Sequence, residues 1–305
     1  MRDTATITRR VALKRIGAVS SLPALAALGG CAEFDPGYPP SAMPRFAPVQ
    51  WPEGRERTAL VLGSGGPRGF AHIGVLKVLE AAGIEPTLVV GSSAGAIAGA
   101  LYASKIAATE IERRALDLGL TDIADPALMQ PNRLIGRALQ NFVNTAVNDC
   151  VIEQLPRRFC AVAAVLGKPE LVAFTSGNTG AAVRASAALP SMFLPTPIGS
   201  VTYEDGDMVS PVPIRIARQL GATRVVAVDV SAFLEDTPER APESWRKRDA
   251  ERRVIIDAEA KEADFLLRVR TPYYAGASRE YRETLIRLAE AQTRDALAKF
   301  RVVLG

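Results

Sequence analysis

The sequence has few of the residues that build metal sites or histidine-based catalytic groups. Its 305 residues include one histidine, His72, and three cysteines. We therefore expect no zinc site of the Cys/His kind, and a Ser-His-Asp triad only if His72 is its base. His72 falls in the middle of a predicted helix, where that role is geometrically awkward, so a packed or capping histidine is the favoured interpretation.

The chain also lacks an excess of charge of one sign outside its N-terminus. The first 30 residues hold five of the 37 basic and one of the 33 acidic residues, so residues 31–305 carry 32 of each. The formal net charge of +4 thus belongs to the N-terminal segment, and we expect no nucleic-acid partner. With 48% hydrophobic and 23% charged residues, the composition is that of a globular protein, and the length suits one large domain.

The apolar stretch in the N-terminal segment is short, covering the 13 residues 16–28. A membrane-spanning helix needs about 20 apolar residues, so this stretch fits the core of a signal peptide instead. The paired Arg9 and Arg10 upstream resemble a twin-arginine export signal. Residues 28–31, Leu-Gly-Gly-Cys, resemble the lipobox of bacterial lipoproteins.

Residues 1–30 are therefore predicted to be a signal peptide that is cleaved before Cys31, whose thiol is then lipidated. Position 32 is alanine, which by resemblance to the bacterial sorting rule predicts an exported lipoprotein of the outer membrane facing the periplasm. An ordinary secretory signal with a chance cysteine and a short membrane anchor are the alternatives. Residues 31–56 include six prolines between positions 36 and 52 and are predicted to be an extended, lipidated tether.

From residue 57 onward, the sequence alternates short apolar runs with stretches of helical periodicity. Such alternation predicts an α/β fold with a mainly parallel central sheet and helices on both faces. Functional residues of such sheets lie at the carboxyl ends of the strands. Strands are predicted at 57–62, 87–90, 159–165, 171–174, 224–230 and 265–269, and helices at 67–82, 96–103, 181–189, 212–220 and 279–300.

The turn at residues 91–95, Gly-Ser-Ser-Ala-Gly, follows the second predicted strand. A serine on a tight strand-to-helix turn is open to a substrate, and the flanking glycines permit a strained backbone. The helix behind it adds a partial positive charge near the developing negative one. Ser93 is therefore the candidate nucleophile, and the alternative is a helix start that Ser93 caps.

The turn at residues 63–69, Gly-Ser-Gly-Gly-Pro-Arg-Gly, follows the first predicted strand. Its successive N–H groups before a helix predict an anion-binding nest for a phosphate or for a reaction oxyanion. The dinucleotide fingerprint fails because its third glycine would fall on Arg68, and a Walker loop fails for want of Gly-Lys-Ser/Thr. An oxyanion hole is favoured. Asp205, in an Asp-Gly turn after a strand-like segment, is the carboxylate best placed to accept the proton of Ser93.

Four segments in this order resemble the patatin-like family of acyl hydrolases, and the resemblance is closest to its bacterial branch. The segments are the oxyanion loop at 65–69, the nucleophile elbow at 91–95, the Arg-Ala-Ser-containing stretch at 182–190 and the Asp-Gly element at 205–206. The resemblance implies a three-layer α/β/α fold over residues 57–305 and a Ser–Asp dyad without histidine. It also implies hydrolysis of acyl esters, most often of phospholipids, without a cofactor or a metal.

Carried onto this chain, the resemblance implies that Ser93 attacks the ester carbonyl and that Asp205 is the general base. The N–H groups of Gly65, Gly66 and Arg68 would form the oxyanion hole. Two positions depart from the family pattern. Asp207 stands where the family has a small residue, and Ser64 stands where many members have glycine.

A second carboxylate beside Asp205 should raise the pKa of one of the two groups. We therefore expect activity to tend toward neutral or alkaline pH, and an Asp207→Gly variant to alter the pH–rate profile. Two other functions stay open. The chain could be an esterase or thioesterase for smaller acyl substrates, or a catalytically silent lipid-binding lipoprotein of the envelope.

Three further segments carry weaker expectations. Cys150 and Cys160 are allowed to form a disulfide in an exported protein, and two buried thiols are the alternative. Residues 133–147 are amphipathic and predict a core-facing helix rather than a lid over a lipid site. The charge-rich run 235–262 predicts a solvated face or loop.

Overall fold

The computed structural model describes residues 36–305, apart from residues 129 and 277. The predicted signal peptide, its cleavage site and the lipidation site at Cys31 lie outside the described residues. In the described part, the strands are β1 Thr58–Leu62, β2 Leu88–Ser92, β3 Pro126–Ala127, β4 Gln130–Leu134, β5 Arg158–Val165, β6 Leu171–Phe174, β7 Thr196–Ile198, β8 Val201–Asp205, β9 Arg224–Asp229 and β10 Phe265–Arg268.

The helices alternate with these strands through most of the chain. They are α1 Ala71–Ala81, α2 Ala94–Ala103, α3 Ala108–Asp117, α4 Leu120–Ile123, α5 Arg137–Ala146, α6 Thr179–Ser186, α7 Ile214–Gln219, α8 Glu243–Ala260, α9 Arg279–Asp295 and α10 Leu297–Leu304. Helix α10 begins two residues after α9 ends, so the predicted helix over 279–300 is two helices. None of the helices in residues 36–305 is both long and apolar enough to cross a membrane.

The central sheet has the strand order β10-β9-β1-β2-β5-β8-β7. The five strands from β10 to β5 run parallel to their neighbours, whereas β6, β7 and β8 pair antiparallel at the β5 end. Strands β3 and β4 form a separate hairpin. The predicted α/β class with a mainly parallel sheet is confirmed. The strand-like segment before Asp205 is the antiparallel strand β8, and β7 is an addition that the sequence pattern did not reveal.

Side chains of the central strands point alternately to two hydrophobic cores, as the two-residue period of a strand requires. In β1, Leu60 and Leu62 face the larger core, which α1, α2, α5, α6 and α9 cover. Ala59 and Val61 face the second core, which α7 and Ile256 of α8 cover. Burial on both faces explains the continuous apolar runs of these strands and makes the three-layer α/β/α arrangement that the resemblance implied.

The strand registers bring the ends of β2 and β8 together on one edge of β5. Strand β6 pairs with residues 161–164 of β5. These residues overlap both the stretch of β5 that pairs with β2 and the stretch that pairs with β8. Because a strand has two edges, β6 lies on one edge of β5, and β2 and β8 share the other. Strands β2 and β8 therefore approach each other end to end. Ser92 pairs with Val162, and Asp205 pairs with Ala163, the next residue of β5.

Residues 36–56 do not form the free-standing tether that was predicted for residues 31–56. They belong to the same compact unit as the rest of the described chain. The Asn178 N–H donates to the Ala42 carbonyl at 2.7 Å, and the Trp51 Nε1–H donates to the Leu220 carbonyl at 2.9 Å. The segment is largely extended, as its prolines require, but its carbonyl groups and its tryptophan bind the surface of the folded domain.

The structure describes all three segments that carried weaker expectations. The amphipathic segment 133–147 contains α5, whose Leu139 and Val143 are buried in the larger core, so it is a core helix rather than a lid. Cys150 and Cys160 are both free thiols. The run 235–262, predicted to be a solvated face or loop, contains the 18-residue helix α8.

Candidate active site

Ser93 lies in the turn between β2 and α2 with a backbone φ of 54° and ψ of −121°. A positive φ is strained for a residue with a side chain, and such strain is concentrated at functional sites. The flanking glycines make this turn sterically feasible. A Cβ on Gly91 would lie 2.5 Å from the Ala96 Cα, and a Cβ on Gly95 would collide with the Leu62 carbonyl.

The strained turn is held by Ser186 at the end of α6. The Ser93 N–H donates to the Ser186 Oγ at 3.0 Å, and the Ser186 hydroxyl donates to the Val162 carbonyl of β5 at 2.6 Å. Ser186 is fully buried. The resemblance covered this serine within residues 182–190 but gave it no role, and its contacts identify it as a support of the nucleophile turn.

Asp205 ends β8 and faces Ser93 across the junction of the two strands. The Ser93 Oγ–H donates to Asp205 Oδ2 at 2.6 Å, and the Asp207 N–H donates to Asp205 Oδ1 at 2.8 Å. The structure thus brings the predicted nucleophile and general base into direct contact. Ser93 is 8% exposed and Asp205 is completely buried, so a substrate reaches the serine before the carboxylate.

Burial raises the pKa of Asp205 from an ordinary 3.8 to about 8, because a desolvated carboxylate disfavours its charged form. The neighbouring Asp207 carboxylate is the second contribution to this rise. The hydrogen bonds from Ser93 and from the Asp207 N–H, together with the charge of Arg252, act in the opposite direction. A carboxylate of this basicity accepts a serine proton far more readily than an ordinary aspartate does.

The glycine loop after β1 supplies N–H groups beside the turn that holds Ser93. No group in the described part of the chain accepts a hydrogen bond from the N–H of Gly65 or of Gly66. The third group implied by the resemblance is occupied, because the Arg68 N–H donates to the Gly65 carbonyl at 3.0 Å. The loop abuts the nucleophile turn, since a Cβ on Gly69 would collide with the Ala94 Cβ.

The Arg68 side chain turns away from this loop and binds the segment before α9. Its Nη2 donates to the Tyr273 carbonyl, and its guanidinium carbon lies 5.9 Å from the centre of the Tyr273 ring. Tyr273 is in turn held by a 3.0 Å hydrogen bond from its hydroxyl to Asp249 of α8. Arg68 therefore anchors the loop through its side chain.

Ser64 and Asp207, the two residues that depart from the family pattern, bind each other. The Ser64 hydroxyl donates to Asp207 Oδ1, and Arg252 of α8 forms an ion pair with the same oxygen at 2.9 Å. Arg252 also donates to the Ser64 Oγ at 3.0 Å. Arg252 was not predicted from the sequence, because it lies in a charge-rich run 45 residues beyond Asp207 with no motif to mark it.

His72 is packed beneath the glycine loop, as the sequence analysis favoured. It is completely buried, and its Nε2 lies 2.7 Å from the Gly63 carbonyl. Burial lowers the pKa of His72 to about 4, so its ring is neutral at physiological pH and supports the loop. Asp205, not His72, bonds to the Ser93 hydroxyl.

No group of three or more His, Cys, Asp and Glu side chains within residues 36–305 is arranged to hold a metal ion. The polar centre of the site consists instead of one serine, one buried carboxylate and two free backbone N–H groups. A nucleophile, a base and oxyanion donors are the parts that acyl transfer requires.

Comparisons with known proteins give the same family as the motifs. Residues 60–218, which are more than half of the chain, match the family model described as patatin-like phospholipase. The chain therefore belongs to the patatin-like phospholipase family. In fold, VipD from Legionella pneumophila is similar with a TM-score of 0.59 and 14% identity, over 85% of this chain and 71% of that one.

Curated relatives resemble somewhat more than half of the chain. An NTE family protein of Mycobacterium tuberculosis is 33% identical over 178 residues, which are 57% of this chain and 49% of that protein. Lysophospholipase NTE1 of Coccidioides immitis is 33% identical over 194 residues, which are 59% of this chain and 12% of that protein. The chain thus spans about half the length of the mycobacterial relative and a small part of the fungal one.

Proposed function

We propose that the protein is a serine acyl hydrolase that cleaves ester bonds of phospholipids or lysophospholipids. The observation that carries the proposal is the 2.6 Å hydrogen bond from the Ser93 hydroxyl to the buried Asp205 carboxylate, at a strained turn beside free N–H groups. Phospholipids are proposed as the substrate class because the chain belongs to the patatin-like phospholipase family and because one relative carries the name lysophospholipase.

In the first half of the proposed reaction, the Ser93 Oγ forms a bond to the ester carbonyl carbon and its proton passes to Asp205 Oδ2. The carbonyl oxygen becomes an oxyanion and accepts hydrogen bonds from the N–H groups of Gly65 and Gly66. Each such donor contributes about 3–4 kcal/mol to the stability of the transition state. The intermediate then collapses, the bond to the leaving alcohol breaks, and that alcohol takes the proton from Asp205.

In the second half, water replaces the alcohol. Asp205 accepts a proton from the water as its oxygen bonds to the acyl carbon, and the same N–H groups hold the second oxyanion. The bond between the acyl carbon and the Ser93 Oγ breaks, and the proton on Asp205 returns to the serine. The fatty acid leaves, and the site is restored without a cofactor.

The experiment that tests this function is the release of fatty acid from phosphatidylcholine and lysophosphatidylcholine vesicles by the wild type and by Ser93→Ala. We expect release by the wild type, release by the variant reduced on the order of 10⁴-fold or more, and covalent labelling of Ser93 by a fluorophosphonate probe. Ser92→Ala is the matched control, because the Ser92 hydroxyl is buried and no group in the described part of the chain binds it.

Three outcomes separate the proposed function from the alternatives. Release of short acyl groups only, from soluble esters or thioesters, would favour the smaller-substrate esterase. A wild type that releases nothing and whose Ser93 resists the probe would favour the silent lipid-binding lipoprotein. An active Ser93→Ala variant would contradict the serine mechanism itself.

We also propose that the protein is exported and anchored to a membrane by lipid on Cys31. The support is the order of basic residues, short apolar core, small residues and cysteine within residues 1–31. When the full chain is expressed in bacteria with radiolabelled palmitate, we expect label in the wild type and in the control Cys150→Ser, and none in Cys31→Ser. An unlabelled wild type would contradict the anchor.

A further inference from the structure

The ion pair between Asp207 and Arg252 is shielded from solvent, unlike most of the ion pairs of this protein. The side chains of Arg252 and Asp207 are 12% and 10% exposed, and their closest atoms are 2.9 Å apart. Such a pair is screened little by solvent and has a stronger effect on its neighbours than a surface pair. Ser64 completes the group by contacting both partners.

The group of Ser64, Asp207 and Arg252 connects the oxyanion loop to the general base. Ser64 immediately precedes Gly65, so its hydroxyl ties the oxyanion loop to Asp207. Asp207 in turn donates its N–H to Asp205 Oδ1 at 2.8 Å, which leaves Oδ2 facing Ser93. Helix α8 supplies Arg252, which contacts both Asp207 and Ser64.

We propose that Arg252 is a positioning residue for the reaction: by holding Asp207 against Ser64, it fixes the general base and the oxyanion loop relative to each other and balances the charge beside the base. The inference rests on the proposed function and deepens it. Arg252 touches neither Ser93 nor Asp205 through any hydrogen bond, so it acts through Asp207.

The electrostatic part of this role follows from the charged groups around Asp205. Asp207 raises the pKa of Asp205, and Arg252 lowers it. Arg252 itself interacts with the charge of Arg68. Removing Arg252 leaves the Asp207 carboxylate uncompensated, so Asp205 should hold its proton to higher pH. Removing the charge of Asp207 should do the opposite.

The test is the pH dependence of kcat/KM for fatty acid release between pH 5 and 10. The wild type should lose activity as pH falls through about 8, because Asp205 must be unprotonated to act as the base. Arg252→Gln should move this acidic limb of the pH profile upward by about one pH unit. The variant should therefore lose about tenfold in kcat/KM at neutral pH and little at pH values above the limb. Asp207→Asn should move the limb downward by at least a similar amount.

Two variants separate positioning from a purely structural role. Arg252→Lys keeps the positive charge, so the limb of its pH profile should lie at the wild-type position. Arg253→Gln is the matched control, because Arg253 is the next residue of α8, its side chain is 13% exposed, and it pairs with Asp229 rather than with Asp207. Its loss should lower stability and leave the limb in place.

A limb that stays in place in both Arg252→Gln and Asp207→Asn would overturn the inference, even if both variants were less stable. The pKa of Asp205, followed by carbon NMR as the difference between wild type and Asp205→Asn, gives the same answer without turnover. Failure of the proposed function itself would show differently, as a wild type without fatty acid release and without fluorophosphonate labelling of Ser93. The NMR titrations of the folded variants would still decide the effect of Arg252.

Discussion

Replacing Asp205 with Asn should reduce fatty acid release on the order of 10⁴-fold. The amide has nearly the shape of the carboxyl group, but it cannot accept the proton of Ser93. Because Asp205 is the partner of the Ser93 hydroxyl at 2.6 Å, fluorophosphonate labelling of Ser93 should slow as well. Labelling at the wild-type rate in Asp205→Asn would show that another group activates the serine.

The same substitution should stabilise the protein relative to the wild type, by a margin that grows as the pH rises. The pKa of Asp205 is about 8 in the folded protein against an ordinary 3.8, so the unfolded chain loses this proton first. The contribution of Asp205 to the free energy of unfolding therefore falls between about pH 4 and pH 8 and stays low above that range. Asn does not ionise, so the Tm of Asp205→Asn should exceed that of the wild type by a margin that widens from pH 5 to pH 8.

A stability gain combined with a loss of activity would distinguish Asp205 from a structural aspartate. Breaking a structural ion pair or a hydrogen bond lowers stability, because a partner is left buried and unpaired. Arg253→Gln, which leaves the buried Asp229 without its 3.0 Å partner, should show that ordinary pattern. A Tm difference for Asp205→Asn that is independent of pH would contradict the raised pKa.

The second large effect is expected from Gly95→Ala. The added Cβ would collide with the Leu62 carbonyl at the end of β1 and would lie 2.7 Å from the Gly63 carbonyl. Because both obstacles are backbone atoms, α2 must move away from the sheet, and the Ser93 turn must move with it. We expect a loss of about 1–3 kcal/mol in stability and at least about a 10²-fold loss of activity from the displaced nucleophile.

Gly99→Ala in the same helix is the control for this substitution. Its Cβ would approach side-chain atoms of Phe159 and Val89 at 3.1 Å, and these atoms can shift by the few tenths of an ångström required. Alanine also favours the helix by about 1 kcal/mol over glycine. Gly99→Ala should therefore keep its activity and its stability to within about 1 kcal/mol, whereas similar losses in both variants would contradict the proposed steric cause.

Much of the site could be predicted from the sequence because its parts are marked by local signals. The two glycine-rich turns follow apolar strands directly, and their glycines form short motifs at fixed spacing, although several of these glycines are required by contacts with distant residues. Asp205 is marked by the Asp-Gly turn and by the order of the other motifs. These signals are short motifs in a fixed order, so they can be recognised in a linear sequence.

Other parts of the site depend on contacts between distant segments. Strand β8 is short and antiparallel, and only its register on β5 brings Asp205 to Ser93. Helix α8 has charged residues around much of its surface and buries few side chains, so no apolar stripe distinguished it from a solvated loop. Arg252 was therefore missed.

The sequence by itself determined the α/β class, the five parallel strands, the two glycine-rich turns and the family of this protein. It did so because periodicity, glycine turns and short motifs are local properties of a chain. Only the tertiary structure decided that residues 36–56 bind the domain surface and that β2 and β8 meet end to end. It also brought Ser64, Asp207 and Arg252 into one group. These features depend on strand register and on the packing of segments that lie far apart in the chain.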